Sequence, residues 1–511
     1  MRPLFLLKGV QLHDVKHIDF LLVMVNKIKA HCGIILIAIT GFVLRLYMAA
    51  LDPFLHDWDE KYHALVAKNM MLHPFKPMLY THQYFSTDLY NWTYNHIWLH
   101  KQPFFLWQMA MSMKIFGVSE LSVRLPSVVM GTLMIVLVYR ISLLVTSNKM
   151  AALLSAILLC FNNYYLNLIS GREGMDHNDI AFGFYVLASF WALAEYLNKP
   201  TWKWVVMVGL FAGCAVLNKW LTGLIVFAPW GILSIKDFTE SKRIKSVFPI
   251  TAAFATCCIV FAPWQFYILS TFPDIAKYEY AFNAKHIGEV IDGHGGDIWT
   301  YLNFFPSYFG WHINFLIPFG FILLILSNSI PFKYKILLSV APIVVFSFFS
   351  FIVQTKMQGY FFMIAPLCFV LMGLGLNKVV DLSGSYKNWA ALILLPVCIY
   401  LSLNLHQINN YTNDKNYRQS KIYNTNIYKS LDALLPENIN VVINSNPFEH
   451  VDIMFYSNRI EAYHLDISEK EFKIFARSNL PIAAFESREG HVLPDYILQY
   501  KHLHIIKAAL K

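Results

Sequence analysis

Six short segments concentrate the side chains able to do chemistry. The first is 56–63, HDWDEKYH, where Asp57, Asp59 and Glu60 crowd the end of an apolar run. Carboxylates so close together at a membrane boundary repel one another and lose solvation, so they need a reason to be there. A solvated loop is one reading, with Asp59 capping a helix that begins near Glu60; a functional acid is the other. The second segment, 96–103 (HIWLHKQP), sets His100 and Lys101 just ahead of Pro103 and an apolar helix. A cation beside free helix N–H groups makes a natural phosphate site, although a lysine snorkelling to lipid headgroups has the same appearance. The third, 171–179 (GREGMDHND), packs Arg172, Glu173, Asp176, His177 and Asp179 into one short loop. Lys219 in 217–220 (LNKW) is a lone charge between two apolar stretches, which predicts an anionic partner. His286 in NAKHIGE precedes the pliable DGHGGD of 292–297, and Lys356 and Tyr360 lie in QTKMQGY at 354–360. His286 also suits an ordinary structural hydrogen bond.

The elements that must hold these residues follow from composition. Of 511 residues, 57% are hydrophobic and only 14% charged, against about 25% charged in a soluble chain. Lipid is the solvent such a chain fits. The net charge of +9 sits in short tracts between apolar runs, such as 236–245 (KDFTESKRIK), which is a topology signal rather than a nucleic-acid surface. The seven cysteines fall mostly inside apolar runs with no metal-ligand spacing. The first long apolar run starts near Gly33 and is too long for a signal peptide.

Apolar runs of about 20 residues predict eleven spans: 32–51, 122–142, 150–169, 179–197, 203–218, 221–236, 246–270, 301–326, 335–353, 360–377 and 388–407. Lys8, Lys16, Lys27 and Lys29 put the N-terminal segment 1–31 in the cytoplasm, and the remaining basic loops then fall on the same side. The expected fold class is mainly α, a polytopic membrane helix bundle over 32–407, followed by a small extramembrane α/β domain over 408–511. That tail has a helical pattern at 425–435 and strand patterns at 441–445 and 480–486; it reads as a lid, docking or structural domain. The outer loop 52–121 is longer than a connection requires, and 59–72 and 103–116 read as interfacial helices within it. Under this topology all six segments share the outer face.

Taken together, the segments resemble the membrane glycosyltransferases of the GT-C class, in the family-39-like branch of protein O-mannosyltransferases and the lipid A aminoarabinose transferase. Asp59-Glu60 resembles the family's acidic pair after the first span, and Lys101-Gln102-Pro103 its Lys-Pro element with a Gln inserted. FGVSELSVRLPS at 116–127 is the most specific match, and the likeness covers about residues 40–375. The resemblance implies an inverting transfer from a polyprenyl-phosphate sugar to a hydroxyl acceptor on lipid, glycan or protein. Asp59 would be the base, with Glu60 and Asp176 or Asp179 as further catalytic acids. Lys101, Arg172, Lys219, Lys356 and Tyr360 would surround the donor phosphate. It also implies a divalent metal, with His286 at the family's histidine and His100 where the family has an acid. The implied setting is a bacterial inner membrane with the site facing the periplasm.

A lipid or solute transporter or flippase is the rival from another class. It predicts charges at the bilayer midplane and repeated halves, whereas these charges gather at one face. A polysaccharide polymerase or ligase would use the same donor type.

Overall fold

The computed structural model describes residues 12–90, 95–173, 177–414, 416–464, 468–488 and 491–511. The helices in chain order are α1 (Leu12–Ala50), α2 (Asp59–Met70), α3 (Phe104–Phe116), α4 (Glu120–Thr146), α5 (Lys149–Cys160), α6 (Asn163–Ile169), α7 (His177–Asn198) and α8 (Trp202–Lys219). A 3-10 segment, Trp220–Val226, leads to α9 (Phe227–Ser241), α10 (Phe248–Thr271), α11 (Pro273–Gly288), α12 (Thr300–Phe309), α13 (Leu316–Leu326), α14 (Phe332–Ser347), α15 (Gln358–Phe362), α16 (Ala365–Leu382) and α17 (Lys387–Ser402). The tail follows as α18 (Leu405–Thr412), α19 (Tyr417–Leu434), α20 (His450–Tyr456) and α21 (Glu469–Arg477), interleaved with strands. The fold is a polytopic helical membrane protein with a small C-terminal α/β domain, as the patterning predicts.

Among the described residues eight helices are long and apolar enough to cross a membrane, or nine if α5 and α6, bent by 50°, form one span. Two places in the chain explain most of the difference from the eleven expected spans. The stretch Trp202–Ser241 counts as one 40-residue helix, yet a straight helix of that length is about 60 Å, twice the hydrocarbon thickness. It reverses instead. Trp220 takes φ 64, and a Cβ on Gly223 would lie 2.7 Å from the Val216 nitrogen and 2.8 Å from the Ala215 carbonyl carbon. The close approach requires glycine and folds the 3-10 segment back along α8, so 203–218 and 221–236 are separate passes. The predicted span 301–326 is not continuous: α12 and α13 are split by turns over 310–315.

Polar side chains fix the joints between helices. Ser119 caps α4, and Asn148 and Asn162 cap α5 and α6 through side-chain acceptors. Arg124 of α4 is wholly buried and donates to the carbonyls of Ala49, Asp52 and Phe54 at 2.9, 2.8 and 2.6 Å, tying the end of α1 to α4.

The tail builds a parallel sheet of four strands, order β2-β1-β3-β6, from β1 (Val441–Ser445), β2 (Glu461–His464), β3 (Ile482–Phe485) and β6 (Leu503–Ile506). A two-stranded ribbon pairs β4 (Ser487–Arg488) with β5 (His491–Val492). Both β1 and β3 are buried along their whole length, the expected pattern for a parallel sheet covered on both faces. This domain seats on α2 through α20. Lys61 is buried and pairs with Asp452 at 2.5 Å and Asp57 at 2.9 Å, while Lys421 bridges Asp57 and Glu449, each at 2.9 Å. Tyr80 stacks on Tyr463 with ring centroids 4.9 Å apart. The C-terminal domain is therefore bolted to the helix that begins with Asp59.

Candidate active site

The first turn of α2 divides its two acids between two environments. Glu60 is 2% exposed. Its carboxylate accepts from Arg124 Nε and Nη2 at 2.7 and 3.0 Å, from the His56 backbone N–H at 2.6 Å, and lies 2.9 Å from His177 Nε2. Burial would raise this carboxyl, but Arg124 and His177 hold it well below the ordinary range. Glu60 is thus placed as a strut between α2 and α4, outside the cavity walls described below. Its neighbour points about 100° away around the helix, and the side chain of Asp59 is 40% exposed, 3.8 Å from Lys101 Nζ.

Lys101 occupies the turn before α3, where the inserted glutamine earns a structural explanation. Gln102 is buried, and its Oε1 accepts from Gln265 Nε2 at 2.9 Å, whose Oε1 in turn accepts from Tyr280 O–H at 2.7 Å. This relay ties the Lys101 turn to α10 and α11. Across the site, Asp179 in the first turn of α7 pairs with Lys219 at the end of α8. The partner expected for Lys219 is therefore Asp179. Gly359 of α15 lies against this pair, since a Cβ there would stand 2.6 Å from Lys219 Nζ and 2.9 Å from Asp179 Oδ1.

These groups line one cavity of about 390 Å³, which holds Asp59, His100, Lys101, Asp179, Lys219, His286, Lys356 and Tyr360. All six segments meet there on groups they were singled out for, the 171–179 loop through Asp179. Asn178, Asn218, Trp220 and Asn283 also line the wall and carry no signal in the sequence beyond their neighbours. A second, apolar space of about 680 Å³ adjoins it, lined by Leu221, Phe261, Ile287, Phe348 and Phe349 and sharing Lys219, Trp220, His286 and Tyr360 with the cavity. Tyr360 stacks on Phe349 at 4.7 Å at this junction.

Three expected roles do not fit the placement. Besides Glu60, Arg172 stands apart from the cavity: its Nε pairs with buried Asp52 at 2.8 Å, its Nη2 donates to the Met48 carbonyl, and Tyr411 lies under its guanidinium at 4.6 Å. Lys356 borders the cavity, but its ammonium turns back to the carbonyls of Phe349, Ser350 and Val353 at 2.6, 2.9 and 2.5 Å. It caps the end of the preceding helix, whose last carbonyls otherwise lack donors. Asp176 lies outside the described residues.

Each histidine of the implied metal pair has another polar group close by. His100 Nδ1 is 3.4 Å from a Glu279 oxygen, and His286 Nδ1 is 3.0 Å from the Phe282 carbonyl. Among the described residues no group of three or more His, Cys, Asp or Glu is placed to hold a metal ion. With no third ligand beside the two histidines among the described residues, the chemistry proposed for this site uses no metal. Burial lowers the His286 imidazole below its ordinary value, leaving it neutral near pH 7, with Nε2 available as an acceptor when Nδ1 donates.

With this geometry in place, comparison with known proteins locates the chain. The sequence model of the dolichyl-phosphate-mannose-protein mannosyltransferase family matches residues 100–267. An uncharacterized protein of Aquifex aeolicus strain VF5 is 28% identical over 177 residues, which span 34% of this chain and only 32% of that protein. In fold, ArnT from Cupriavidus metallidurans, solved bound to undecaprenyl phosphate, aligns with a TM-score of 0.65 and 13% identity over 88% of each chain. The oligosaccharyltransferase AglB of Archaeoglobus fulgidus, solved with an inhibitory peptide and a dolichol-phosphate, aligns at 0.54 and 14% identity over 89% of this chain and 66% of that one. The chain has an ArnT-like fold and, over residues 100–267, is similar in sequence to the protein mannosyltransferase family of GT-C membrane glycosyltransferases.

Proposed function

We propose that this chain is an inverting glycosyltransferase that moves a sugar from a polyprenyl-phosphate donor to a hydroxyl acceptor at the outer face of a membrane. One observation carries the reading: a polar cavity holding Asp59, Lys101, Asp179 and Lys219 opens into an apolar groove through shared Lys219, Trp220 and Tyr360. A polyprenyl phosphate has the same two-part character, a charged head and a hydrocarbon tail. ArnT and AglB, with similar folds, have been solved with such lipids.

The chemistry follows from the placement. The acceptor oxygen attacks the anomeric carbon, and its proton passes to the Asp59 carboxylate, which needs hydrogen-bond reach to that hydroxyl. The bond from the anomeric carbon to the phosphate oxygen breaks, and its electron pair stays on the phosphate. Lys101 and Lys219 offset the developing charge, an effect worth most where water is excluded. Asp179 orients Lys219 rather than reacting, because its carboxylate is already engaged by that ammonium. Arg172, Glu60 and Lys356 have no part in these steps.

The test is Asp59→Asn in a transfer assay. The variant keeps its fold and its affinity for undecaprenyl phosphate while transfer falls by about 10²-fold or more. Full activity in this variant overturns the role of Asp59.

A further inference from the structure

A third space, of about 520 Å³, meets the same short helix from another side. Its volume lies within the usual range for small-ligand sites, about 300–1,000 Å³. Consecutive residues of α15 divide the three spaces: Gln358 borders this pocket and the cavity, while Gly359 and Tyr360 border the cavity and the groove. The Tyr164 hydroxyl donates to Gln358 Oε1 at 3.1 Å, and Tyr308 O–H donates to the Gln358 carbonyl at 3.0 Å. Gln358 is thus held as a common wall.

The pocket's chemistry differs from the cavity's. Among the described residues no lysine or arginine lines it, and Glu173 is the one acid. Amides dominate instead: Asn162, Asn163, Gln358, Asn404 and Gln407. Asn163 Nδ2 donates to Gln407 Oε1 at 2.8 Å, which commits that oxygen and leaves the Gln407 amide hydrogens for a ligand. Asn163 Oδ1 and Ser402 Oγ are buried without a hydrogen-bond partner among the described residues. Buried polar atoms are normally satisfied, and each exception asks for a missing partner. Trp311 and Tyr400 flank the opening, 71% and 70% exposed. Aromatic rings at a membrane surface also serve as interfacial anchors, but anchoring does not account for the two orphaned atoms or the cluster of amides. Burial raises the Glu173 carboxyl, against the pull of the Asn167 amide that donates to it at 3.4 Å.

We propose that this pocket holds the acceptor, and that it takes a neutral, polyhydroxylated glycosyl unit whose reacting hydroxyl reaches the Asp59 cavity past Gln358. Amides and hydroxyls give a sugar both donors and acceptors, and the face of Trp311 accepts the C–H side of a sugar ring. Among the described residues the lysines lie in the cavity and not here, which separates acceptor from donor by charge. The inference rests on the glycosyltransferase reading and adds the acceptor's class to it. A glycan chain and a glycolipid headgroup present the same chemistry.

Saturation-transfer NMR on the full chain in phosphatidylcholine nanodiscs tests it, with maltotriose, mannotriose and chitotriose as soluble probes. A parallel arm places digalactosyl diacylglycerol in the nanodisc as competitor. Saturable binding of at least one trisaccharide is the expected result, weakened about fivefold or more by Trp311→Ala and by Gln407→Ala. Undecaprenyl phosphate affinity, measured in the same variants, stays unchanged and reports that they are folded. Competition by the glycolipid assigns the site to a headgroup, and its absence assigns it to a glycan. Failure of all three probes to bind, or binding that both variants leave intact, overturns the acceptor pocket. Loss of lipid-phosphate binding in the wild-type chain instead overturns the donor reading, so the two failures are distinct.

Discussion

Glu60→Gln separates the two acids that sit side by side in the sequence. Glu60 neutralises a fully buried guanidinium and accepts from three different residues. The substitution keeps the shape, removes the negative charge and turns an N–H₂ group toward donors. Breaking one half of a buried ion pair costs about 3–5 kcal/mol. Arg124 keeps three carbonyl partners, at 2.9, 2.8 and 2.6 Å, which argues for the lower end, about 3 kcal/mol. A denaturant titration of the protein in nanodiscs reads this directly, alongside Asp59→Asn, whose carboxylate is partly exposed. Glu60→Gln is expected to unfold at clearly lower denaturant, and Asp59→Asn within about 0.5 kcal/mol of wild type. Activity should follow the opposite order for the fraction that is folded, with Asp59→Asn more severely impaired. A Glu60→Gln protein that is as stable as wild type yet inactive refutes the strut and returns Glu60 to the chemistry.

Further outcomes follow from the same contacts. Lys101→Ala should weaken undecaprenyl phosphate binding by about tenfold, or 1.4 kcal/mol, in a native mass spectrometry titration, with little change in stability. Gly359→Ala should drive Lys219 and Asp179 apart, given the 2.6 and 2.9 Å approaches of its Cβ, and raise the dissociation constant for the same lipid while the helices stay folded. Burial pushes the Asp452 carboxyl up to about 7, against the pull of Lys61. A carboxyl raised in the folded state binds its proton there more tightly than in the unfolded chain. Its contribution is then largest near pH 4 and is lost as pH rises through about 7. Asp452→Asn should flatten that part of the stability–pH curve, read by thermal unfolding between pH 5 and 8.

Much of this site was legible in the sequence, because charged residues at the end of an apolar run have few bland explanations. Asp59, Lys101, Asp179, Lys219 and His286 were singled out by position alone, and they line one cavity. The residues whose partners lie elsewhere share a physical cause. A charge in a loop declares that a partner exists but not which one. Glu60 finds Arg124, 64 residues along the chain, and that arginine, within FGVSELSVRLPS, is wholly buried. Arg172 finds Asp52, 120 residues away. Lys356 satisfies carbonyls within seven residues, which no charge count anticipates. The fold class and the two strand patterns of the tail were readable from periodicity. The reversal at Trp220 and the break over 310–315 were less so, since apolar composition fixes how much chain is buried but not where it turns. The seating of the tail on α2 through Lys61 and Asp452 depends on pairing across nearly four hundred residues, beyond any local signal.

The account stands on where a polyprenyl phosphate lies, which can be asked without knowing the sugar. An undecaprenyl phosphate carrying a photoreactive diazirine in its tail, cross-linked to the chain in nanodiscs and mapped by mass spectrometry, gives that answer. Labels on the groove residues Leu221, Phe261, Ile287 and Phe348, reduced in Lys219→Ala, are the predicted result. Labels spread over the lipid-facing surface, or a groove labelled equally with and without the Lys219 ammonium, contradict it.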